Sequence, residues 1–450
     1  MRCATFVRAI IIILLTTVAA RGQTEYRYAF LMLPPLGGEH SFGWGMNEFG
    51  DVVGSAFLPG NNAFHATLWI DGEPIDLGTL GHVNSRAQDA NASGWVVGFS
   101  GCLGSERAFL WRDGLMEDIG TLGGNTANAF AINDADDVVG SSRIHQTFTS
   151  AFLWRDGQME DLGSHAGRGS WAYDVNSAGQ VVGRSYSAES SWRAALWENG
   201  KIIDLGTLRP DNTGTSEAYG INDLGQIVGF AQGYLYRYYA AVWHNGQIYD
   251  LGVPQGTRES YAKGINNLGQ IVGHGYLNHR SIGFLWEPQR GMQRLDDLLP
   301  ARTTFYPRLV WAINDAGQIT GIASPKSAPE SQDLAFIMSP VNLTMDLAAP
   351  SPGRAGESNM ITVTNCTPGE RVTFLYSRNG GGQRIPGCDL QQNALQLDSP
   401  TVIGTAVADG NGVATITRTV PPIARNQTIL FQAVVQNECA ISQLVVHRFE

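Results

Sequence analysis

Residues 218–229 read Ala-Tyr-Gly-Ile-Asn-Asp-Leu-Gly-Gln-Ile-Val-Gly, and the phrase that begins at Asn222 decides the fold. Asn, two residues, Gly, one residue, two mostly apolar residues and Gly recur from Asn47, Asn91, Asn133, Asn176, Asn266 and Asn314, with Asp136 in place of the first Gly in one copy. Together with Asn222 this makes seven copies, 42 to 48 residues apart. That is the range in which one repeat equals one four-stranded propeller blade. Within each copy the first strand ends at Ile-Asn, a tight turn follows, and the second strand carries the apolar pair.

A second phrase runs in phase with the first. Ala, two residues and Trp end at Trp69, Trp111, Trp154, Trp197, Trp243 and Trp286, with Met338 in the Trp place of the last copy. Asp-Gly or Asn-Gly follows at 71–72, 113–114, 156–157, 199–200 and 245–246. Between apolar runs these pairs signal a two-residue type I′ hairpin, which needs positive φ at both centres. The third strand therefore carries Ala-x-x-Trp, and the fourth carries Asp-Leu-Gly. Four residues before each Asn stand Gly43, Ala87, Ala129, Ala172, Ala218, Ala262 and Val310, small at nearly every copy. A crowded place near a central axis requires such residues, so the first strand is expected innermost.

The ends of the repeat region are complementary. Tyr28 to Leu33 matches a fourth strand with no predecessors, and Ala335 to Met338 matches a third strand with no successor. The sequence thus predicts an all-β chain containing a seven-bladed β-propeller closed by its N-terminal strand, over residues 23–340. From about 341 to 450 the period stops. Six alternating segments with turn signals between them predict an Ig-like β-sandwich.

Composition points to export. Gly accounts for 54 of 450 residues and charged residues for only 16 %, as many tight turns and facing sheets require. Residues 1–22 resemble a secretory signal, with Arg2 and Arg8 ahead of an apolar run from Ala9 to Leu15 and small residues near Ala20. The expected location is extracellular, with no transmembrane anchor, and the expected state is a monomer. The net charge of −11 becomes more negative when Arg2 and Arg8 leave with the signal. Without a Lys/Arg cluster this excludes nucleic acid as an expected partner. Four cysteines remain in the exported chain, Cys102, Cys366, Cys388 and Cys439. The three in the tail permit three pairings, of which Cys388–Cys439 is preferred.

Ala-Phe-Leu-Trp at 108–111 and 151–154, Asp-Leu-Gly-Thr-Leu-Gly at 76–81 and Ile-Asn-Asp-Leu-Gly-Gln-Ile-Val-Gly at 221–229 resemble the HAF repeat family of extracellular bacterial proteins. The resemblance covers residues 27–338, and the His-Ala-Phe triplet itself survives only loosely, as at His65-Ala66-Thr67. It implies an exported propeller-like array and no particular activity. The tail motifs Pro352-Gly353-x-Ala355-Gly356, Pro386-Gly387-Cys388 and Ala408-Asp409-x-Asn411-Gly412 resemble a C-terminal module on other secreted bacterial propellers. That resemblance also favours the Cys388–Cys439 pairing and leaves Cys366 where a non-cysteine residue is expected.

No His-Glu-x-x-His, Gly-x-Ser-x-Gly or phosphate-binding loop occurs, and no Ser-x-Asp-x-Gly-x-Thr-Trp box of the sialidase kind. The sequence reading is therefore of a chain that is not an enzyme, holds no cofactor or metal, and binds an extracellular protein or glycan. The alternative is a carbohydrate-active hydrolase or lyase with its site on one propeller face. Two segments differ from their counterparts in the other copies. Asn133-Asp-Ala-Asp136-Asp137 resembles the start of a calcium loop but lacks its Gly and distal Glu, and reads as a hairpin turn. Tyr234, Tyr236, Arg237, Tyr238 and Tyr239 form the candidate binding group, exposed aromatics with an Arg that suit a sugar or a protein partner.

Overall fold

The computed structural model describes residues 27–449 except 103, 145–147, 190, 278–279, 300–302, 328–331, 342, 365, 367–368, 370, 379, 385–393, 398–400, 410–412, 426, 436–439 and 443–444. Every described element is a β-strand or a short 3-10 turn. The leader expected over residues 1–22 and the Cys388–Cys439 pair lie outside the described residues. Cys102 is a free, exposed thiol and Cys366 is buried.

Among the described residues the repeat region forms seven four-stranded antiparallel sheets in a propeller-like succession, six of them built from consecutive strands. In one, Ser216–Ile221, Ile227–Gln232, Tyr238–His244 and Gln247–Asp250 lie side by side in chain order. In another, Phe305–Ile313, Ile319–Pro325 and Leu334–Val341 are completed by Arg27–Leu33, paired antiparallel from Arg27 opposite Val341 to Leu33 opposite Ala335. The Asp-Gly and Asn-Gly turns take the conformation their residues predict. Asp71 and Gly72 have φ of 54° and 82°, and Asn245 and Gly246 have 52° and 74°.

The repeated Asn does more than make a turn. The side-chain oxygen of Asn222 accepts from the backbone N–H groups of Leu224 at 3.2 Å and Gln226 at 2.9 Å. Its Nδ2 donates to Gln226 Oε1 at 2.8 Å and to the Asn266 carbonyl of the next sheet at 3.0 Å. Asn91 donates likewise to Asn133, Asn133 to Asn176, Asn176 to Asn222, Asn266 to Asn314, and Asn314 to Asn47. The same side chain thus closes its own hairpin and ties it to a neighbour. The next residue reinforces the tie: the Asp315 N–H donates to Glu48 Oε2 at 2.9 Å and the Asn267 N–H to Asp315 Oδ1 at 2.7 Å. Asp136 holds φ at 65° and accepts from Asn91 Nδ2 at 2.8 Å, so its departure from Gly serves the same network.

The Gly that ends the phrase is required by a close approach. A Cβ at Gly229 would run into the Glu217 carbonyl oxygen of the first strand, and one at Gly183 into that of Trp171. Between the sheets lie buried layers such as Val182, Ala194, Ala218, Ile227 and Trp243. The periodic Ala and Trp of the third strand are therefore core, as their spacing predicts.

In the tail, strands at Ser358–Thr364, Arg371–Ser377, Thr401–Val407, Ala414–Thr419, Thr428–Val435 and Val445–Arg448 fall where the alternating segments predict. Leu343–Leu347 pairs in parallel with Ala440–Ser442 and antiparallel with Ser358–Thr364, joining the strands into one hydrogen-bonded path. That path surrounds a core of Leu347, Val363, Phe374, Phe431 and Phe449.

Candidate functional site

A β-bulge in the first strand of each sheet builds the site. The pairing between first and second strands slips between the residues four and two places before the Asn, as at Ala218/Gly220, leaving one residue unpaired. Over the seven sheets the unpaired residues are Trp44, Gln88, Phe130, Tyr173, Tyr219, Lys263 and Trp311. A bulge re-aims its extra side chain out of the ladder. Here those side chains meet from sheet to sheet. Trp44 and Trp311 have ring centroids 5.0 Å apart, Phe130 and Tyr173 5.6 Å, and Tyr173 and Tyr219 5.1 Å. Lys263 Nζ stands 3.3 Å from the Tyr219 ring centroid and 4.9 Å from that of Trp311. The result is an aromatic belt interrupted by one amide and one cation.

Two residues earlier in the strands, toward the long loops, a second tier carries charge. The Arg86 guanidinium lies 4.7 Å from the Trp44 ring, 5.6 Å from Phe99 and 5.9 Å from Phe64. Arg184 lies between Trp171 at 4.5 Å and Trp192 at 4.6 Å, and pairs with Glu217 at 2.7 Å. Tyr219 donates its hydroxyl to Glu217 at 2.8 Å. Burial pushes Lys263 down to about 7, which the charge of Glu217 offsets only in part. Burial, then the charge of Lys263, pushes His274 down to about 3, so this ring is neutral at pH 7. Burial likewise raises Tyr173 and Tyr219 and lowers Arg86.

The opposite end of the axis has the opposite sign. A cavity of about 180 Å³ is lined there by the repeated Asn residues from six of the sheets and by Glu48, Asp134, Asp223 and Asp315. Asp89 and Asp174 line its wall or lie next to it; burial pushes the first up to about 8 and the second up to about 7, against the pull of backbone N–H donors. Those donors are Ile132 at 3.1 Å and Ile221 at 2.8 Å. Both folded values exceed the unfolded value of about 3.9. The stability these groups contribute is therefore complete below about pH 4 and lost as pH rises through 7 and 8. Asp89→Asn with Asp174→Asn is expected to remove that loss, so that the thermal midpoint of the double variant exceeds the parent's by more at pH 9 than at pH 5. Taking the difference between the two proteins at each pH removes the contribution of Lys263, which has the opposite sign. An equal difference at both pH values would mean that neither carboxyl holds a proton in the folded state.

The sequence-derived group is split by the structure. Tyr238 joins the site, its ring 5.1 Å from Phe230 and 6.1 Å from Tyr261. Tyr239 is part-buried in the same strand. Tyr234 and Tyr236 are 70 % and 71 % exposed in a 3-10 turn beside exposed Arg237. Leu235 and Tyr236 hold φ of 57° and 58°, a left-handed backbone unusual for bulky residues, and Arg209 stacks on Tyr236 at 4.9 Å. The belt itself is absent from the sequence reading. Its signal is the third residue before each Asn, aromatic in five of the seven copies.

No protein-family model and no curated protein matches the chain. Among solved structures it is similar to a fungal alcohol oxidase of the AA5 family in complex with copper, at 12 % identity and TM-score 0.43, covering 94 % of this chain and 99 % of that one. It is also similar to TolB from Acinetobacter baumannii, at 12 % identity and TM-score 0.35, covering 61 % and 64 %. A gluconolactonase from Xanthomonas campestris is similar at 11 % identity and TM-score 0.35, covering 69 % and 88 %. Similarity this low transfers no activity. With two of these proteins named as enzymes, however, the expectation that the chain is not an enzyme is withdrawn. Its physical basis was the lack of a contiguous catalytic motif, and a site assembled from single residues on separate strands needs none.

Proposed function

We propose that the chain is an exported ligand-binding protein whose site is the aromatic, cationic mouth at the long-loop end of a closed seven-bladed propeller. The proposed propeller spans about residues 23–340, behind a leader at 1–22 and ahead of an Ig-like β-sandwich at 341–450, in the manner of the HAF repeat proteins. The ligand class is a saccharide. The observation that carries the reading is the belt of Trp44, Phe130, Tyr173, Tyr219 and Trp311, whose rings meet from sheet to sheet around one axis. Part-exposed rings beside hydrogen-bonding groups give sugar rings an apolar platform and polar anchors.

One observation favours a second reading, turnover of a carbohydrate at the same mouth. Glu217, Tyr219 and Lys263 stand together there, and Lys263 titrates near 7, where a general acid or base is effective. A glycan array with a parallel screen for hydrolysis and elimination tests both. Binding without turnover supports the first reading, and turnover of any bound glycan replaces it with the second. No glycan bound on the array would sink the saccharide reading. Trp311→Ala is expected to weaken binding of any array hit about tenfold, by loss of a stacking face worth ~1 kcal/mol or more. Titration by calorimetry measures it, and unchanged affinity would place the ligand elsewhere.

A further inference from the structure

Two cations in the mouth have no anion. Among the described residues Arg86 makes no ion pair or hydrogen bond, and its Nε is buried without a partner. It stacks on Trp44, Phe64 and Phe99. Lys263 stacks on Tyr219 and Trp311 and makes no ion pair among the described residues either. The nearby carboxylate, Glu217, is committed to Arg184 and to the Tyr219 hydroxyl. Between the two cations lie Trp44 and Trp311, in contact, each with a buried indole N–H that meets no acceptor.

The run Arg86, Trp44, Trp311, Lys263 therefore has steps of about 5 Å, with a buried donor lacking an acceptor at each of the first three and the Lys263 ammonium at its end. A buried charge or donor without a partner is costly, and native proteins keep one where a ligand supplies the missing half. The missing half here is an acceptor carrying negative charge, next to flat apolar rings. The far end of the axis carries Glu48, Asp134, Asp223 and Asp315, so an anion is repelled there and enters from the loop end.

We infer that the saccharide bound at this mouth is acidic, an oligosaccharide whose ring carboxylates meet Arg86 at one end of this run and Lys263 at the other and accept from the indole N–H groups of Trp44 and Trp311, its rings against the aromatic belt. The inference rests on the saccharide reading above and adds the charge. It assigns the four residues to one acidic-sugar surface. Hydrogen bonds to charged groups are about twice as strong as neutral ones, so the carboxylate contributes at least tenfold in affinity.

The test is calorimetric titration of the full chain with uronic-acid tetrasaccharides of several configurations, their carboxyl-reduced neutral counterparts, and sodium sulfate. At least one uronate is expected to bind tenfold or more tightly than its reduced counterpart. Lys263→Met and Arg86→Gln are each expected to lower that acidic-to-neutral preference severalfold, read as a ratio within each variant, and Lys263→Arg to restore part of it. Trp44→Phe, which keeps the ring and removes the N–H, gives a folding-safe check and is expected to lower the preference severalfold. Equal affinity for acidic and reduced sugars would overturn the inference and leave the saccharide reading standing. Sulfate competing as well as the uronate would also overturn it, since the site would then take a bare anion. Loss of all binding to the sugar panel, acidic and neutral, would overturn both.

Discussion

Asn222→Ala is expected to destabilise the seven-sheet region by about 3 kcal/mol, the sum of a lost turn anchor and a lost tie between sheets. The side chain is 4 % exposed and makes four hydrogen bonds, at 2.8 to 3.2 Å. Alanine leaves the Leu224 and Gln226 N–H groups and Gln226 Oε1 without this partner, and the Asn266 carbonyl with the Gly269 N–H alone. Each buried orphan costs about 1–3 kcal/mol, less where water reaches the turn. Denaturant titration measures it, as a lower midpoint with an unchanged slope. Asn222→Asp separates the two roles: it keeps acceptors for the turn and, when ionised, sets a carboxylate against the Asn266 carbonyl. It is expected to lose nearly as much at pH 7 and to recover part of that loss on acidification, as the carboxyl regains a donor. A loss under about 1 kcal/mol for the alanine variant would show that water replaces the side chain, and the repeated Asn would then be a turn residue only.

How far the sequence could be read follows from which features are periodic. Strand alternation, Asp-Gly turns and a repeat of 42 to 48 residues are each local signals with a mechanism, and the seven sheets follow from them. The completion of the last sheet by Arg27–Leu33 was legible too, because a fourth strand without predecessors needs three strands elsewhere. The bulge was not. In Ala218-Tyr219-Gly220-Ile221 plain alternation sets Tyr219 on a sheet face. The slip between Ala218 and Gly220 instead leaves it unpaired, against Tyr173 and Lys263 of the sheets on either side. No residue in the phrase marks such a slip, since the close approach that Gly229 permits is visible only once the Glu217 carbonyl lies against it.

The site residues were hidden for a related reason. Arg86 and Lys263 each interrupt a strand pattern once, and a lone charge in a strand reads as its solvated face. The tyrosine cluster is split by packing: Tyr238 lies against Phe230, whereas Tyr234 and Tyr236 are exposed. The column that forms the belt is a strand position, the third residue before Asn, rather than a loop.

Deleting Arg27–Leu33 is expected to have the largest effect of all on the seven-sheet region. This segment is one strand among many, yet it is the fourth strand of a sheet whose other three come from the far end of the repeats. Tyr28 and Leu33 are buried, and Phe30 and Met32 pack against the same clusters. At roughly 1.5–3 kcal/mol for each fully buried apolar side chain, the loss is on the order of 5 kcal/mol, comparable with the whole stability of many domains. The thermal midpoint should fall by about 10 °C or more. The deletion also bares the backbone donors and acceptors of Leu334–Val341 that now face Arg27–Leu33, an edge that pairs with any free strand. Concentration-dependent association by light scattering is therefore expected alongside the lower midpoint, and a peptide of residues 27–33 added in excess should reverse both. A variant that melts with the parent and stays monomeric would defeat the proposed closure, because a ring held by its terminal strand cannot lose that strand without cost.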